Sequence, residues 1–411
     1  MEKARFKDQP SYAKRNYLLL VFLQLCRFFG DSFFYGFQYR YITSLGFNDL
    51  ELGVLTALIP FMAVIGNIVI SLFANTHKKR RIFIIVYSLT EPTAVLCFGL
   101  NRAFWYVMIF DIICNFMSNP FYSLLDTYTM IITGDVKKNY SSARVFGTVA
   151  YIFGILIGGY LISYIDYQYT FLIGALFMYL TFVFFMLLKF PKEENELIAQ
   201  NERKSEDDKK SDYKELFTRD YILFMLGVVL ILGSVWAGDN FYQQMTASYT
   251  AQEYAYSFDG ALIAEVIGHL LCSRARNLKD FRRLIRLSAL TLIIRCVVFA
   301  VPGMNKYVYL SLECLRGFTF SLCYGSVLFL LARILPFRLN SRGYFIMMAL
   351  DQLVAAIVNL FGPSIVSAAG GNYMIPFLIL AVFGLAAIIL ISFTKFSEKP
   401  LENKDDDLKR E

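Results

Sequence analysis

Residues 201–215 read NERKSEDDKKSDYKE, and the rest of the chain is organised around them. These fifteen residues contain almost no apolar side chain and lie inside the longest polar stretch, Lys192 to Asp220. On both sides the chain turns apolar in blocks of about 20 residues, the length a helix needs to cross a hydrocarbon layer. A polar segment of mixed charge between two such runs reads as a solvated linker.

Working outward, apolar blocks lie at about 16–38, 51–74, 81–100, 104–132, 145–164 and 169–189, and then at 220–244, 257–272, 285–301, 306–332, 343–367 and 373–394. Strands of about ten alternating residues are absent, so helices are the only plausible spans. The weakest block is 257–272, which is short and carries Glu265 and His269. The pattern predicts an all-α membrane protein with twelve transmembrane helices in two pseudo-symmetric six-helix bundles. Its expected parts are an N-terminal six-helix bundle at 1–190, a cytoplasmic linker at 191–219, a C-terminal six-helix bundle at 220–396 and a disordered cytoplasmic tail at 397–411.

Composition agrees. Of 411 residues 57% are apolar and only 18% charged, too little polar surface for a soluble fold of this size. The 40 Phe and 27 Tyr suit surfaces facing lipid tails and headgroups. The first residues do not read as a cleavable signal, because Met1 to Arg15 is polar and basic and the apolar stretch that follows is far longer than a signal core. The seven cysteines are scattered, with no metal-ligand spacing and no disulfide framework. No metal and no cofactor is expected.

A net charge of +7 would suit a nucleic-acid binder, but the placement of the cations argues otherwise. Of the 40 Lys and Arg, 34 fall in the termini and on one alternating set of loops, and only Arg40, Arg102 and Lys306 on the other. The remaining three, Arg27, Arg295 and Arg316, lie within spans. Positively charged loops stay cytoplasmic. The expectation is therefore a multi-pass protein of the cell membrane with both termini inside, in contact with lipid and not with nucleic acid.

An ionised group in hydrocarbon costs several kcal/mol unless it is paired or hydrated. The acids and bases inside spans are thus the functional shortlist: Arg27, Asp31, Glu91, Asp111 and Asp126 with Arg144 at a helix start, then Asp239, Glu265, His269, Arg295, Glu313, Arg316 and Asp351. Acids and bases on both halves suggest a polar cavity lined from two sides. Arg27 and Asp31 stand four apart and share a helix face, either as cavity lining or as a self-neutralising pair. Glu91 precedes Pro92, and reads either as cavity lining or as a group near the headgroups. Asp111 comes early in its span and reads either as a functional group or as a residue near a helix end. His269 reads as a packing or hydrogen-bonding residue, with no second metal ligand at suitable spacing. Gly154, Gly158 and Gly159 form a face for close helix packing.

The run Ala143-Arg144-Val145-Phe146-Gly147-Thr148-Val149-Ala150-Tyr151 resembles the start of the fifth helix in the lactose permease-like oligosaccharide:proton symporter family of the major facilitator superfamily. In that family an acid at the position of Asp126 and the arginine bind sugar hydroxyls, and an aromatic at the position of Tyr151 stacks on the sugar ring. Asn119 matches a further polar binding position. In the second half Gly238-Asp239-Asn240 resembles the seventh-helix acidic motif. Glu265 falls on a sugar-binding acid and Arg295 on an arginine of proton coupling. Leu315-Arg316-Gly317-Phe318-Thr319 falls on the tenth-helix motif, and Asp351-Gln352-Leu353 matches an eleventh-helix motif. Phe73 to Arg81 resembles the superfamily's loop motif, with Asn75 for the usual Asp and a basic cluster including Lys78 and Arg80. That cluster reads as a conformational latch or as topological charge alone.

The departures from the family are specific. Its tenth-helix histidine is Arg316 here, its proton-carrying glutamate is Thr319, its tenth-helix lysine is Glu313 and its eleventh-helix lysine is Asp351. Asp239 therefore cannot keep the family's acid–lysine pair. The sugar-binding part of the pattern is better preserved than the proton-carrying part.

The chemistry follows from the residue types. A carboxylate accepts from two sugar hydroxyls, a guanidinium donates in a fork, and an aromatic face covers the apolar face of a pyranose. Asp126, Arg144 and Tyr151 supply one of each, with Asn119, Glu265, Asp239 and Gln352 as further binding residues. Arg144 and Tyr151 stand two turns apart on one face. Proton coupling needs an acid set between apolar surroundings and a movable cation. The candidates are Glu313 or Glu265, with Arg295 or Arg316 as the switching partner.

The function expected is alternating-access transport of a sugar or glycoside with proton symport, by a monomer. The alternative is a proton-coupled exporter of drugs or other amphipathic compounds, which an aromatic, acid-bearing cavity would also suit. A sensor or scaffold has little reason to keep so many charges in its spans. An enzyme is not expected, since the sequence shows no nucleophile–base grouping, phosphate loop or metal cluster.

Overall fold

A computed structural model describes residues 11–74, 77–133, 139–188, 218–275, 277–334 and 337–394. Among these there are fourteen helices and no strand. They are α1 (Ser11–Phe34), α2 (Gln38–Ser44), α3 (Asp49–Phe73), α4 (His77–Phe98), α5 (Phe104–Thr133), α6 (Asn139–Tyr164) and α7 (Tyr167–Leu187), then α8 (Arg219–Met245), α9 (Ala251–Arg274), α10 (Leu278–Phe299), α11 (Lys306–Leu312), α12 (Cys314–Ile334), α13 (Phe337–Ala368) and α14 (Met374–Ser392).

The twelve expected spans are all helical, and two of them are broken. The first divides into α1 and α2, although Lys14–Ser44 remains one apolar stretch. The tenth divides into α11 and α12 at Glu313, which caps the C-terminus of α11. Nine helices among the described residues are long and apolar enough to cross a membrane. α10 is not among them, because its first turns carry Lys279, Asp280, Arg282, Arg283 and Arg286. The short span expected at 257–272 is a 24-residue helix, α9. Gln252 and Glu253 make its first turn polar, which is why the apolar block read from the sequence starts later than the helix.

Helix starts follow local chemistry. Asn48 and Glu51 form a reciprocal capping box at α3, with Glu51 N donating to Asn48 Oδ1 at 2.9 Å. Asp166 accepts from Tyr167 N at 2.8 Å at the start of α7. Pro92 lies inside α4, which continues through it.

The chain divides into two compact units. The first holds the described residues up to Leu188 together with 240–259 and 356–367, and the second holds 218–239, 260–355 and 368–394. The boundary cuts α8, α9 and α13 within their lengths. The expected linker at 191–219 lies almost wholly, and the expected tail at 397–411 wholly, outside the described residues.

In the first unit α1 packs on α6 and α7, α3 on α5, and α4 on α5 and α7. Glycine allows the closest crossing: a Cβ on Gly30 of α1 would stand 2.7 Å from the carbonyl oxygen of Gly174 in α7. The small face of α6 packs as expected, Gly154 on Ser32, Gly158 on Phe37, and Gly159 on Ala251 and Ala255. Phe34 meets Phe98 and Phe171 edge-on, with centroids 5.1 and 5.0 Å away. Arg40 of α2 donates to the carbonyls of Thr246 at 2.7 Å, Ala247 at 3.2 Å and Tyr249, capping the C-terminal end of α8.

The second unit is built on α10, which packs against α12 and α14. Its core includes Phe224, Val228, Leu232, Phe281, Ile285, Val327 and Ile391. The molecule leaves Leu72, Trp105, Phe153, Val382 and Ile389 exposed. Such surface is normal where hydrocarbon, not water, is the solvent.

Candidate functional site

Among the described residues each unit buries a cluster of charged side chains. In the second unit, α8 brings Asp239, α9 brings Glu265, α10 brings Arg295, and the α11–α12 break brings Glu313 with Arg316 one turn later. Arg295 donates to Glu313 through Nε and Nη2, both at 2.9 Å. Arg316 donates to Asp239 through Nε at 3.0 Å and Nη2 at 2.8 Å. Arg295 Nη2 also lies 3.5 Å from Asp239, and Arg316 Nη1 3.6 Å from Glu265. His269 Nε2 stands 4.0 Å from Glu265.

Arg295 is fully buried and Glu313 nearly so, Asp239 and Arg316 are buried, and Glu265 is half-buried. Two guanidiniums face three carboxylates, so with every group ionised the cluster carries −1. Taking ions out of water is tolerated only with close partners, which the forked hydrogen bonds provide. Arg295 Nη1 is buried and has no hydrogen-bond partner among the described residues.

In the first unit the cluster joins α1, α4 and α5. Arg27 donates to Glu91 through Nη1 at 2.8 Å and Nη2 at 2.6 Å, and its Nε lies 2.7 Å from Asp31. Tyr35 donates to Glu91 at 2.7 Å, and Tyr122 donates to Asp31. The Phe121 ring covers the Arg27 guanidinium at 4.3 Å. Glu91 is fully buried in a forked ion pair, with Arg27 on α1 as its partner. One sequence reading is corrected here. Asp111 is not a helix-end residue: it is fully buried inside α5, where Gln38 donates to it at 2.7 Å and Asn115 at 3.1 Å.

Of the residues singled out in the sequence, the structure thus brings together Asp239, Glu265, Arg295, Glu313 and Arg316 in one cluster and Arg27, Asp31 and Glu91 in another. Tyr151 is half-buried between Phe28 and Phe258, with ring centroids 6.4 and 6.5 Å away. Asn119 is exposed on α5, and Gln352 is half-buried on α13 beside the buried Asp351. Lys78 is exposed, and Arg80 Nε donates to the carbonyl of Ala74 at 3.0 Å, capping α3. The side chains of Asp126 and Arg144, and Asn75 altogether, lie outside the described residues.

Sequence reasoning missed Tyr35, Tyr122 and Gln38, whose polar atoms complete the buried network of the first unit. It also missed Asp259, buried with neither carboxylate oxygen hydrogen-bonded among the described residues. The available signal was an acid within the block 257–272. Among the described residues no group of His, Cys, Asp and Glu could hold a metal ion.

Paired charges within apolar helices are costly in a membrane and mark functional positions. The chain belongs to the MFS_1 like family, whose model matches residues 28–358, and it is a multi-pass membrane transporter of the major facilitator superfamily and not an enzyme. The fold is similar to that of the nucleoside transporter NupG, at 17% identity and a TM-score of 0.70 over 93% of this chain and 100% of that one. It is similar to a D-xylose-proton symporter, at 14% identity and 0.71 over 94% and 99%. It is also similar to the inward-open xylose transporter XylE from E. coli, at 13% identity and 0.70 over 97% and 99%. No curated protein matches the sequence.

Proposed function

We propose that the protein carries a sugar or glycoside across the cell membrane by alternating access, coupled to proton symport. The observation that carries this reading is the buried cluster of Asp239, Glu265, Arg295, Glu313 and Arg316, in which two cations hold three carboxylates. Neutral hydroxyl-rich cargo is bound by such groups, the acids accepting and the guanidiniums donating. Two of the similar folds are named for a nucleoside and for D-xylose, and both cargoes carry a hydroxyl-rich ring.

In this reading Asp126, Arg144, Tyr151, Asn119, Glu265, Asp239 and Gln352 bind substrate. Glu313 or Glu265 carries the proton, and Arg295 or Arg316 is the cation that holds the acid once the proton leaves. Asn75, Lys78 and Arg80 gate the cycle. The protein acts as a monomer with both termini in the cytoplasm, which the one-sided distribution of Lys and Arg supports.

The test begins with a binding screen of the purified full-length protein against mono- and disaccharides, nucleosides and aromatic acids. A sugar or nucleoside hit whose binding is lost in Asp126→Ala and Arg144→Ala is expected. Substrate-driven proton uptake in proteoliposomes then falls in Glu313→Gln or Glu265→Gln, and undiminished uptake in both removes the coupling assignment. Drug resistance conferred without any sugar binding would favour export of amphipathic compounds.

A further inference from the structure

We propose that the cluster of Arg27, Asp31 and Glu91 in the first unit is a proton-binding site, with the proton held on Asp31. This goes beyond the coupling residues assigned above, all of which lie in the second unit, and requires no substrate.

The inference rests on charge and on unused hydrogen-bonding capacity. Arg27, Asp31 and Glu91 are all 0% exposed. From α1 itself Arg27 and Tyr35 face the cluster, from α4 Glu91, from α5 Tyr122 and the Cys114 carbonyl, and from α6 Tyr151 approaches Tyr122 through Phe28. Arg27 is the one cation among these described groups. With both acids ionised, one guanidinium faces two carboxylates and the cluster holds an uncompensated negative charge away from water. A buried charge without a partner is far costlier than a buried neutral carboxyl.

The geometry also says which acid yields. Both oxygens of Glu91 are occupied, Oε2 by Arg27 Nη1 and Oε1 by Arg27 Nη2 and Tyr35. Asp31 engages Arg27 and Tyr122 through Oδ2 alone, while its Oδ1 is buried with no hydrogen-bond partner among the described residues. A proton arriving at Oδ1 makes one O–H bond, breaks none, and brings the cluster to neutrality with the forked Arg27–Glu91 pair intact.

Infrared spectroscopy of the full-length protein in lipid tests this without substrate, through the carbonyl stretch of protonated carboxyl groups. Asp31→Asn and Glu91→Gln are each expected to remove one carboxyl's worth of that band. Either change leaves one acid opposite one guanidinium, a pair that is neutral without a proton. Glu313→Gln is expected to leave this share of the band in place. Unchanged band amplitude in both Asp31→Asn and Glu91→Gln overturns the proposal. Should neither variant fold, Tyr122→Phe keeps every charge and is expected to shift the frequency of the band at constant amplitude; an unshifted band then overturns it. If the Glu313 and Glu265 variants keep full substrate-driven proton uptake while this band behaves as expected, the coupling assignment fails and the Asp31 site stands.

Discussion

Arg316 on α12 grips Asp239 on α8 with two nitrogens, Nε at 3.0 Å and Nη2 at 2.8 Å, although the two residues are 77 positions apart in sequence. Both are buried, and each would be left with one longer contact, Asp239 with Arg295 at 3.5 Å and Arg316 with Glu265 at 3.6 Å. Removing one member of an isolated buried pair typically costs about 3–5 kcal/mol, and the longer second contacts put the loss here at or below that range. Asp239→Asn and Arg316→Gln should each lower the thermal unfolding midpoint of the purified protein sharply. The double variant should recover part of the loss, and a strictly additive double variant would show that the contact carries no coupling.

Glycine at the α1–α7 crossing is required by space. In Gly30→Ala the new Cβ would stand 2.7 Å from both the Gly174 carbonyl oxygen and Met178 Cγ, and the oxygen belongs to backbone that cannot swing aside. The expected loss is about 1–3 kcal/mol, of the order found for overpacked cores. Gly260→Ala, where nothing lies within 4 Å, should cost no more than about 1 kcal/mol and serves as the control.

Arg40 satisfies carbonyls that a helix end leaves open. Arg40→Ala would strand the oxygens of Thr246, Ala247 and Tyr249 together. A loss of about 1–3 kcal/mol is expected, and hydrogen exchange should rise in residues 243–250 before it rises elsewhere. Arg40→Lys keeps the charge but not the fork, and should fall between wild type and the alanine variant.

For the proposed transport cycle, Glu313→Gln should separate binding from coupling. Substrate exchange between the two sides of a vesicle should persist, while uptake driven by a proton gradient falls by about tenfold, a typical coupling free energy. Equal loss of both activities would mean that Glu313 acts through folding or binding alone.

The architecture was legible because its signal is local. Each apolar block is helical among the described residues, whereas the polar run at 201–215 lies outside them. The Arg27–Asp31 contact could be read from a spacing of four, since such neighbours share a helix face. Its third member could not, because Glu91 reaches Arg27 across 64 residues and a spacing rule carries no information over that distance. The charge reversals at Glu313 and Asp351, and the arginine at 316, were visible in sequence, but which acid meets which arginine depends on helix packing. The break at Glu313 also escaped notice: Lys306 to Ile334 is apolar on both sides of it. Asp259 stood inside the block 257–272, but its burial without a hydrogen-bond partner among the described residues depends on helix packing and not on any spacing.

The count of three acids to two arginines in the second unit has an electrical consequence for the proposed cycle. Holding one proton, the cluster is neutral, and shifting it through the bilayer does no work against the membrane potential. Empty, it carries −1, and a full crossing of that charge would amount to about 2.3 kcal/mol per 100 mV. Voltage therefore bears on the return of the unloaded carrier, so currents recorded from oriented vesicles should steepen with potential when the proton is scarce and flatten when it is plentiful.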